Sequence, residues 1–266
     1  MERILNSSSI EQNFSKKVKY YDTHANIQKI MANELFNLIK SSKKYYGIIF
    51  EIGCGTGLLT EYLVKIRPKL LIVNDISSKM LEILKEKISF NNIIYINFNF
   101  LEINNIIKSD LICSNAVFQW IFDLDSLFSK INTFLNNGGT LAFSTFIDGT
   151  FKELDKAFNE AYLSKGITPK KHTLHFYYKE EIKDFLFKHN FNILEFFSYE
   201  YKMFYKTPID FLKSVHNIGA ILNNEKKVGY TIMKKMLDSY KKLFTTNNEN
   251  KVYATYDILF CVAQKI

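Results

Sequence analysis

The sequence predicts an α/β fold, a seven-stranded and mostly parallel sheet with helices on both faces and an antiparallel edge strand. Three observations predict it. Short apolar runs of β-forming residues alternate with segments of helical periodicity between residues 47 and 145. A glycine-rich turn, Glu51-Ile52-Gly53-Cys54-Gly55-Thr56-Gly57, joins the first of these strands to the helix after it. Two further apolar strands, at 191–201 and 252–264, lie beyond the alternation and pair as a late hairpin, with the last strand inserted beside the fifth.

Taken in order, residues 1–13 read as a frayed terminus. Residues 14–40 carry Ile27, Ile30, Met31, Leu35, Leu38 and Ile39 at helical spacing, closed by Ser41, Ser42, Lys43 and Lys44. The first strand spans about 47–52, and a helix follows to about 66, stopped by Pro68. The second strand, 70–74, ends at Asp75, and Ser77 caps a helix to about 90. Strands at 93–96 and 110–113 precede a helix at 124–135, the Gly138-Gly139 turn and a fifth strand at 140–145. The rhythm then changes. Residues 150–178 hold a helix and a polar loop with Pro169, residues 180–190 a helix, and residues 202–250 a mixed region. This divides the chain into a helical lid at 1–45 and a main domain at 46–266 with helical insertions at about 150–178 and 202–250.

Bulk composition excludes several classes. The chain has 266 residues and is 47% hydrophobic, enough for a sizeable core. No apolar run approaches the length of a membrane span, and the first eight residues lack the apolar core of a signal peptide. The three cysteines, Cys54, Cys113 and Cys261, are scattered without metal-ligand spacing, which reads as a reducing, cytoplasmic setting with no metal. The net charge of +8 comes from lysines spread along the chain rather than clustered, so no nucleic-acid partner is expected.

The glycine turn carries the chemistry. A side chain there would hold the backbone away from a ligand. A dinucleotide fingerprint counted from Gly53 needs glycine where Leu58 stands, and a P-loop needs a lysine that does not follow Gly57. The pattern acidic-x-G-x-G-x-G, formed by Glu51, Gly53, Gly55 and Gly57, instead resembles the first motif of S-adenosylmethionine-dependent methyltransferases. Asp75 ends the second strand, where a carboxylate accepts hydrogen bonds from both ribose hydroxyls of an adenosine; the bland alternative is a helix cap. Ile76 then lies against the adenine. The fourth strand opens into Ser114-Asn115-Ala116-Val117-Phe118-Gln119-Trp120, polar groups at the carboxyl end where α/β sheets bind ligands. Trp120, the lone tryptophan, reads as a core residue sooner than as a ligand platform. The five histidines form no metal pair, and no serine-nucleophile elbow or pair of carboxylates at helical spacing is present.

A narrower likeness rests on particular residues. Phe14, Lys16, Tyr21-Asp22, Ala25 and Gln28 open the chain; Ser114, Asn115, Gln119 and Trp120 form S-N-x-x-x-Q-W; Phe143-Ser144-Thr145, Gly149-Thr150 and Glu153-Leu154 follow; Ile218-Gly219-Ala220 and Tyr256 to Phe260 come late. In these the chain resembles the malonyl-[acyl-carrier protein] O-methyltransferases of biotin synthesis, a class I family with a Rossmann-like sheet. Two places depart from the family. The adenine-binding Asp after the third strand is replaced around Asn99 and Phe100, and the basic residue before Phe176 is His175.

The resemblance implies methyl transfer from S-adenosylmethionine to the free carboxylate of malonyl-acyl carrier protein, or of malonyl-coenzyme A, with S-adenosylhomocysteine as product. A carboxylate is already ionised at pH 7, so no general base is required. In this reading Tyr21 closes over the methyl group, Gln119 and His175 orient the acceptor, and Glu51, Gly53, Gly55, Gly57, Asp75, Ile76, Asn99, Phe100 and Asn115 hold the cofactor. Lys170, Lys171 and Lys179 would steer an acidic carrier protein. The alternatives are a methyltransferase for another small carboxylate or a quinone, and a non-catalytic binding subunit with the same fold. A nicotinamide oxidoreductase is disfavoured by Leu58.

Overall fold

The computed structural model describes residues 7–43, 45–218, 228–246 and 250–266. Gly219 and Ala220 of the late signature therefore lie outside the described residues.

Five strands form the parallel part of the sheet: β1 (Ile48–Ile52), β2 (Leu70–Asp75), β3 (Ile93–Asn97), β4 (Ser109–Asn115) and β5 (Leu135–Phe146). Two long strands complete it, β6 (Phe191–Tyr205) and β7 (Val252–Lys265), and the order is β3-β2-β1-β4-β5-β7-β6. β7 runs antiparallel between β5 and β6, as expected of the late hairpin. Its side chains alternate between two cores. Ala254, Ile258, Phe260 and Val262 face one, and Leu259, Cys261 and Ala263 face the other.

The helices divide accordingly. On the first face lie α2 (Asn26–Ser42), α3 (Thr60–Leu63), α4 (Ser78–Lys87), α6 (Lys152–Leu163), α8 (Pro208–Asn217) and α9 (Tyr230–Phe244). On the second lie α5 (Leu124–Phe134) and α7 (Lys179–Lys188). Among the described residues no helix is long and apolar enough to cross a membrane, and no group of three or more His, Cys, Asp or Glu is placed to hold a metal ion.

The amino-terminal region differs from the sequence expectation. Residues expected to fray begin a helix, α1 (Ser7–His24), and Ala25 breaks it from α2. Ala25 is fully buried and takes a non-helical ψ of 40°, so the chain bends where a small side chain fits. α1 has no buried residue. It is fastened by polar contacts instead: Ser15 Oγ lies 2.7 Å from Ser77 Oγ, Thr56 Oγ1 donates to Asp22 Oδ1 at 2.5 Å, and Asp22 pairs with Lys87 of α4. Residues expected as one helix after the glycine turn form α3 and a 3-10 turn, Val64–Ile66, ending in a left-handed Arg67 (φ 50°) just before Pro68.

Candidate cofactor and acceptor site

The strand register brings the site together. Ile52 sits opposite both Asn74 and Ser114, and Asn115 opposite Ser144, so the carboxyl ends of β2, β1, β4 and β5 align in one row. The order reverses between β1 and β4, and a crevice opens at that switch point. A cavity lies there, walled by Gly53, Gly55, Asp75 and Ile76 below and by Ser7, Ile10, Phe14 and Tyr21 above. These last four fall at helical spacing, so one face of α1 roofs the cavity. Phe98, Asn99 and Phe100 close one end, and Asn115, Ala116, Val117 and Trp120 close the other.

The glycines divide the work. A Cβ on Gly53 would stand 2.4 Å from Val117, and one on Gly57 would stand 2.4 Å from Leu84, so these two are glycine because protein packs against them. A Cβ on Gly55 would meet nothing within 4 Å, at a φ of +54°. The space beside Gly55 is therefore open. The Gly55 N–H donates to Asp75 Oδ2 at 2.8 Å, while Asp75 Oδ1 accepts from the Ser77 N–H at 2.8 Å. Asp75 thus ties the glycine turn to the loop after β2 and keeps lone pairs on both oxygens for a diol. Burial pushes its pKa up to about 6, against the lowering effect of the Ser77 and Gly55 hydrogen bonds. The helix cap is made by Ser77, which accepts from Met80 N.

Other expected residues are placed differently from one another. Ile76, Asn99, Phe100 and Asn115 line the cavity, as does Tyr21. Tyr21 is half-buried, with desolvation around its phenol raising the pKa and Asp75 and Asp22 adding to the effect, so it stays a protonated donor. Asn99 Nδ2 reaches Ser7 Oγ at 3.1 Å and Glu102 Oε1 at 2.9 Å, joining the loop after β3 to α1. Glu51 lies behind the cavity wall. Its buried carboxylate accepts from Thr60 Oγ1 at 2.6 Å and braces the turn into α3. Burial pushes it up to about 8, opposed by the Thr60 bond and reinforced by the Asp75 charge.

Gln119 is also behind the wall, and both ends of its amide are engaged by protein. Nε2 donates to Ala116 O at 2.7 Å, and Oε1 accepts from Thr145 Oγ1 at 2.8 Å. Ala116 has a left-handed φ of 57°, an unfavourable conformation for a residue with a Cβ, and Gln119 clamps that turn. His175 is exposed, with its ring 5.7 Å from that of Tyr177. Tyr177 O accepts from Asp148 N, which sets the His175 segment beside the loop leaving β5.

Sequence reasoning missed Ser7 and Ile10, read as frayed, and Phe98 and Met80, whose local patterns are those of any loop and helix. Trp120 turns out to line the cavity, edge-on to Phe14 at 5.3 Å between ring centroids.

The fit to S-adenosylmethionine can be judged on this geometry. An open glycine cradle, a buried carboxylate with spare acceptor capacity one strand away and an apolar base pocket match the three parts of an adenosyl amino acid. The comparisons agree. Residues 50–143 match the family described as Methyltransferase domain. A malonyl-[acyl-carrier protein] O-methyltransferase 1 of Ilyobacter polytropus is 35% identical, covering 99% of this chain and 96% of its own. The malonyl-[acyl-carrier protein] O-methyltransferase of Acetivibrio thermocellus is 32% identical over 98% of this chain and 95% of its own. Among solved structures, the N-methyltransferase NodS of Bradyrhizobium japonicum in complex with S-adenosyl-L-homocysteine shares the fold, with a TM-score of 0.57 at 14% identity over 97% of this chain and 98% of its own. The protein is a methyltransferase that uses S-adenosylmethionine, and the chain belongs to the malonyl-[acyl-carrier protein] O-methyltransferase family.

Proposed function

We propose that the enzyme methylates the free carboxylate of a malonyl group held as a thioester on acyl carrier protein, giving the methyl ester that begins pimeloyl synthesis for biotin. The observation that carries this is likeness over nearly the whole chain to relatives bearing that name. S-adenosylmethionine, when bound, supplies a methyl group already activated by a sulfonium leaving group. The chain must then hold a carboxylate oxygen in line with that methyl, at about 3 Å, and keep water out. The acceptor is ionised near neutral pH, with ordinary carboxyl pKa values around ~4, so no side chain need remove a proton.

The residues divide into roles under this reading. Asp75 takes the ribose and Gly55 admits the cofactor. Tyr21 lies over the transferred methyl, and Phe14, Trp120 and Ile10 exclude water. Of residues 1–45, expected as a lid, α1 acts as the lid, since it covers the cavity without fully burying a residue of its own, whereas α2 packs Ile27, Met31, Leu35 and Ile39 into the core and stays in place. His175 meets the acceptor at the rim, and Gln119 positions the turn that carries Trp120 rather than touching the acceptor. Lys170, Lys171 and Lys179 face an acidic carrier protein in preference to coenzyme A. The enzyme acts in the cytoplasm, and neither nucleic acid nor membrane is part of the proposal.

Mass spectrometry tests it directly. With S-adenosylmethionine present, malonyl-carrier protein should gain one CH2 unit as a base-labile ester, and acetyl-carrier protein should gain nothing. Methylation of a quinone or other small carboxylate with malonyl-carrier protein untouched would overturn the assignment.

A further inference from the structure

The cavity wall that carries Trp120 is a short loop between two fixed points. It begins at the left-handed Ala116, clamped by Gln119, and ends at Asp123, which caps α5 by accepting from Ser126 N at 2.9 Å and Ser126 Oγ at 2.6 Å. Between them Trp120 and Ile121 line the cavity, and Trp120 meets Phe14 of α1. One 3-10 turn, Phe118–Trp120, bonds Trp120 N to Val117 O and Ile121 N to Phe118 O. The chain then leaves the turn at Ile121 in an extended conformation, with φ −106° and ψ 110°. Extended backbone outside a sheet takes a fixed place only through partners from elsewhere in the fold.

Tyr177, 55 positions further on, supplies such a partner: its hydroxyl donates to Phe122 O at 2.5 Å. The Tyr177 backbone is itself anchored, because Tyr177 O accepts from Asp148 N at 3.0 Å just beyond β5. Neighbouring side chains before α7 point to opposite faces of the sheet. Phe176 is buried in the core on the first face, edge-on to Phe151, while Tyr177 packs against the core on the second. Tyr177 thus spans the exits of β5 and β4, and the exposed His175 lies edge-on to its ring. Burial raises the phenol pKa, with Glu181 and Asp123 adding to the effect, so the hydroxyl stays a donor. Packing against the second core asks only for the ring; the hydroxyl at its edge serves the loop.

We propose that Tyr177 is a positioning residue for methyl transfer, its hydroxyl holding the Trp120 wall of the cavity in register with the rim segment that carries His175. Methyl donor and acceptor are then presented by one frame instead of by two loops that move independently. Misplacing reacting groups by about 1 Å can cost about a hundredfold in rate, so the tie acts on the transfer step more than on affinity. The acceptor part rests on the reaction proposed above; the hold on Trp120 does not.

Tyr177→Phe in the full chain tests it, since it removes one oxygen atom and keeps the ring. Trp120 is the chain's only tryptophan, so its fluorescence reports on the wall alone. With S-adenosylhomocysteine bound, the variant should show red-shifted Trp120 emission and stronger quenching by acrylamide than wild type. Its kcat on malonyl-carrier protein should fall about tenfold, with a far smaller change in the Kd for S-adenosylhomocysteine. Tyr177→Leu also lacks the hydroxyl and should give the same Trp120 signature, which covers the case of a misfolded Phe variant. An unchanged Trp120 signal would overturn the proposal, and so would an unchanged kcat in a variant whose Trp120 is loosened. A lower Tm with both of these unchanged would overturn it too, since that is what a purely structural bond produces. Wild-type protein that binds S-adenosylhomocysteine but leaves malonyl-carrier protein unmethylated would overturn the acceptor reading instead, and the Trp120 signal would still decide whether Tyr177 holds the wall.

Discussion

Thr145 donates its hydroxyl to Oε1 of Gln119 across 2.8 Å, and both side chains are buried. One strand position back, Ser144 donates to Asn115 at 2.7 Å. The two signatures that mark the family in the sequence, at 114–120 and 143–145, are thus bonded to each other. They form a joint between the ends of β4 and β5 that aims Trp120 and Asn115 into the cavity. Gln119→Ala leaves the Ala116 carbonyl without its side-chain donor and the Thr145 hydroxyl with only the long 3.4 Å contact to Phe146 O, and should destabilise the protein by about 1–3 kcal/mol. Adding Thr145→Val removes one of the orphaned groups, so the double variant should lose less than the sum of the single losses. A double-mutant cycle in urea checks this; strict additivity would mean that the bond contributes nothing.

With Asp75 as the proposed ribose ligand, cofactor affinity should depend on pH. The folded-state pKa of Asp75 is pushed up to about 6 by burial, and the ribose hydroxyls need the ionised form as acceptor. Affinity for S-adenosylhomocysteine should therefore be flat above pH 6 and fall toward tenfold per unit below it, with proton release on binding across that range. Asp75→Ala should weaken binding at pH 8 by roughly 1.5–3 kcal/mol and abolish this pH dependence. Titration calorimetry in buffers of different ionisation enthalpy measures both.

Glu51 should make the protein less stable as pH rises. Its carboxyl is pushed from an ordinary 4.5 up to about 8, chiefly by burial. A folded state that binds a proton more tightly than the unfolded chain has that contribution in full below about pH 4.5 and loses it as pH climbs toward 8. Glu51→Gln keeps an acceptor for Thr60 and carries no charge. It should raise Tm relative to wild type at pH 8 and leave it nearly equal at pH 5, as thermal melts across pH would record.

The glycine turn separates stability from binding. Gly53→Val drives atoms into Val117, where even a Cβ would stand at 2.4 Å, and should lower Tm. Gly55→Val meets open space and incurs mainly the left-handed strain of its φ, about 1–2 kcal/mol, so it should fold. It should nevertheless fail to bind S-adenosylhomocysteine, because its side chain fills the cofactor's space. A folded Gly55→Val that binds normally would remove the turn from the site.

The sequence by itself determined the β–α alternation, the glycine turn and the carboxylate at the end of β2. Each depends on short-range physics: the two-residue period of strands, the 3.6-residue period of helices, and a turn that only glycine accommodates. It also placed β7 beside β5, as the inner strand of a late antiparallel hairpin with β6. The tertiary structure decided the rest. α1 begins at Ser7, inside the stretch expected to fray, and roofs the cavity; local pattern could not show this, because its fastening points, Asn99, Ser77, Thr56 and Lys87, lie far away in the chain. β6 runs on to Tyr205, past its sequence-expected end, because Val252 of β7 continues the ladder there. Gln119 turned inward because Thr145 offered a buried donor. Tyr177 met Phe122 because the segment before α7 folds back against the loop after β4. Such features depend on which groups meet across the fold, and local periodicity carries no record of those meetings.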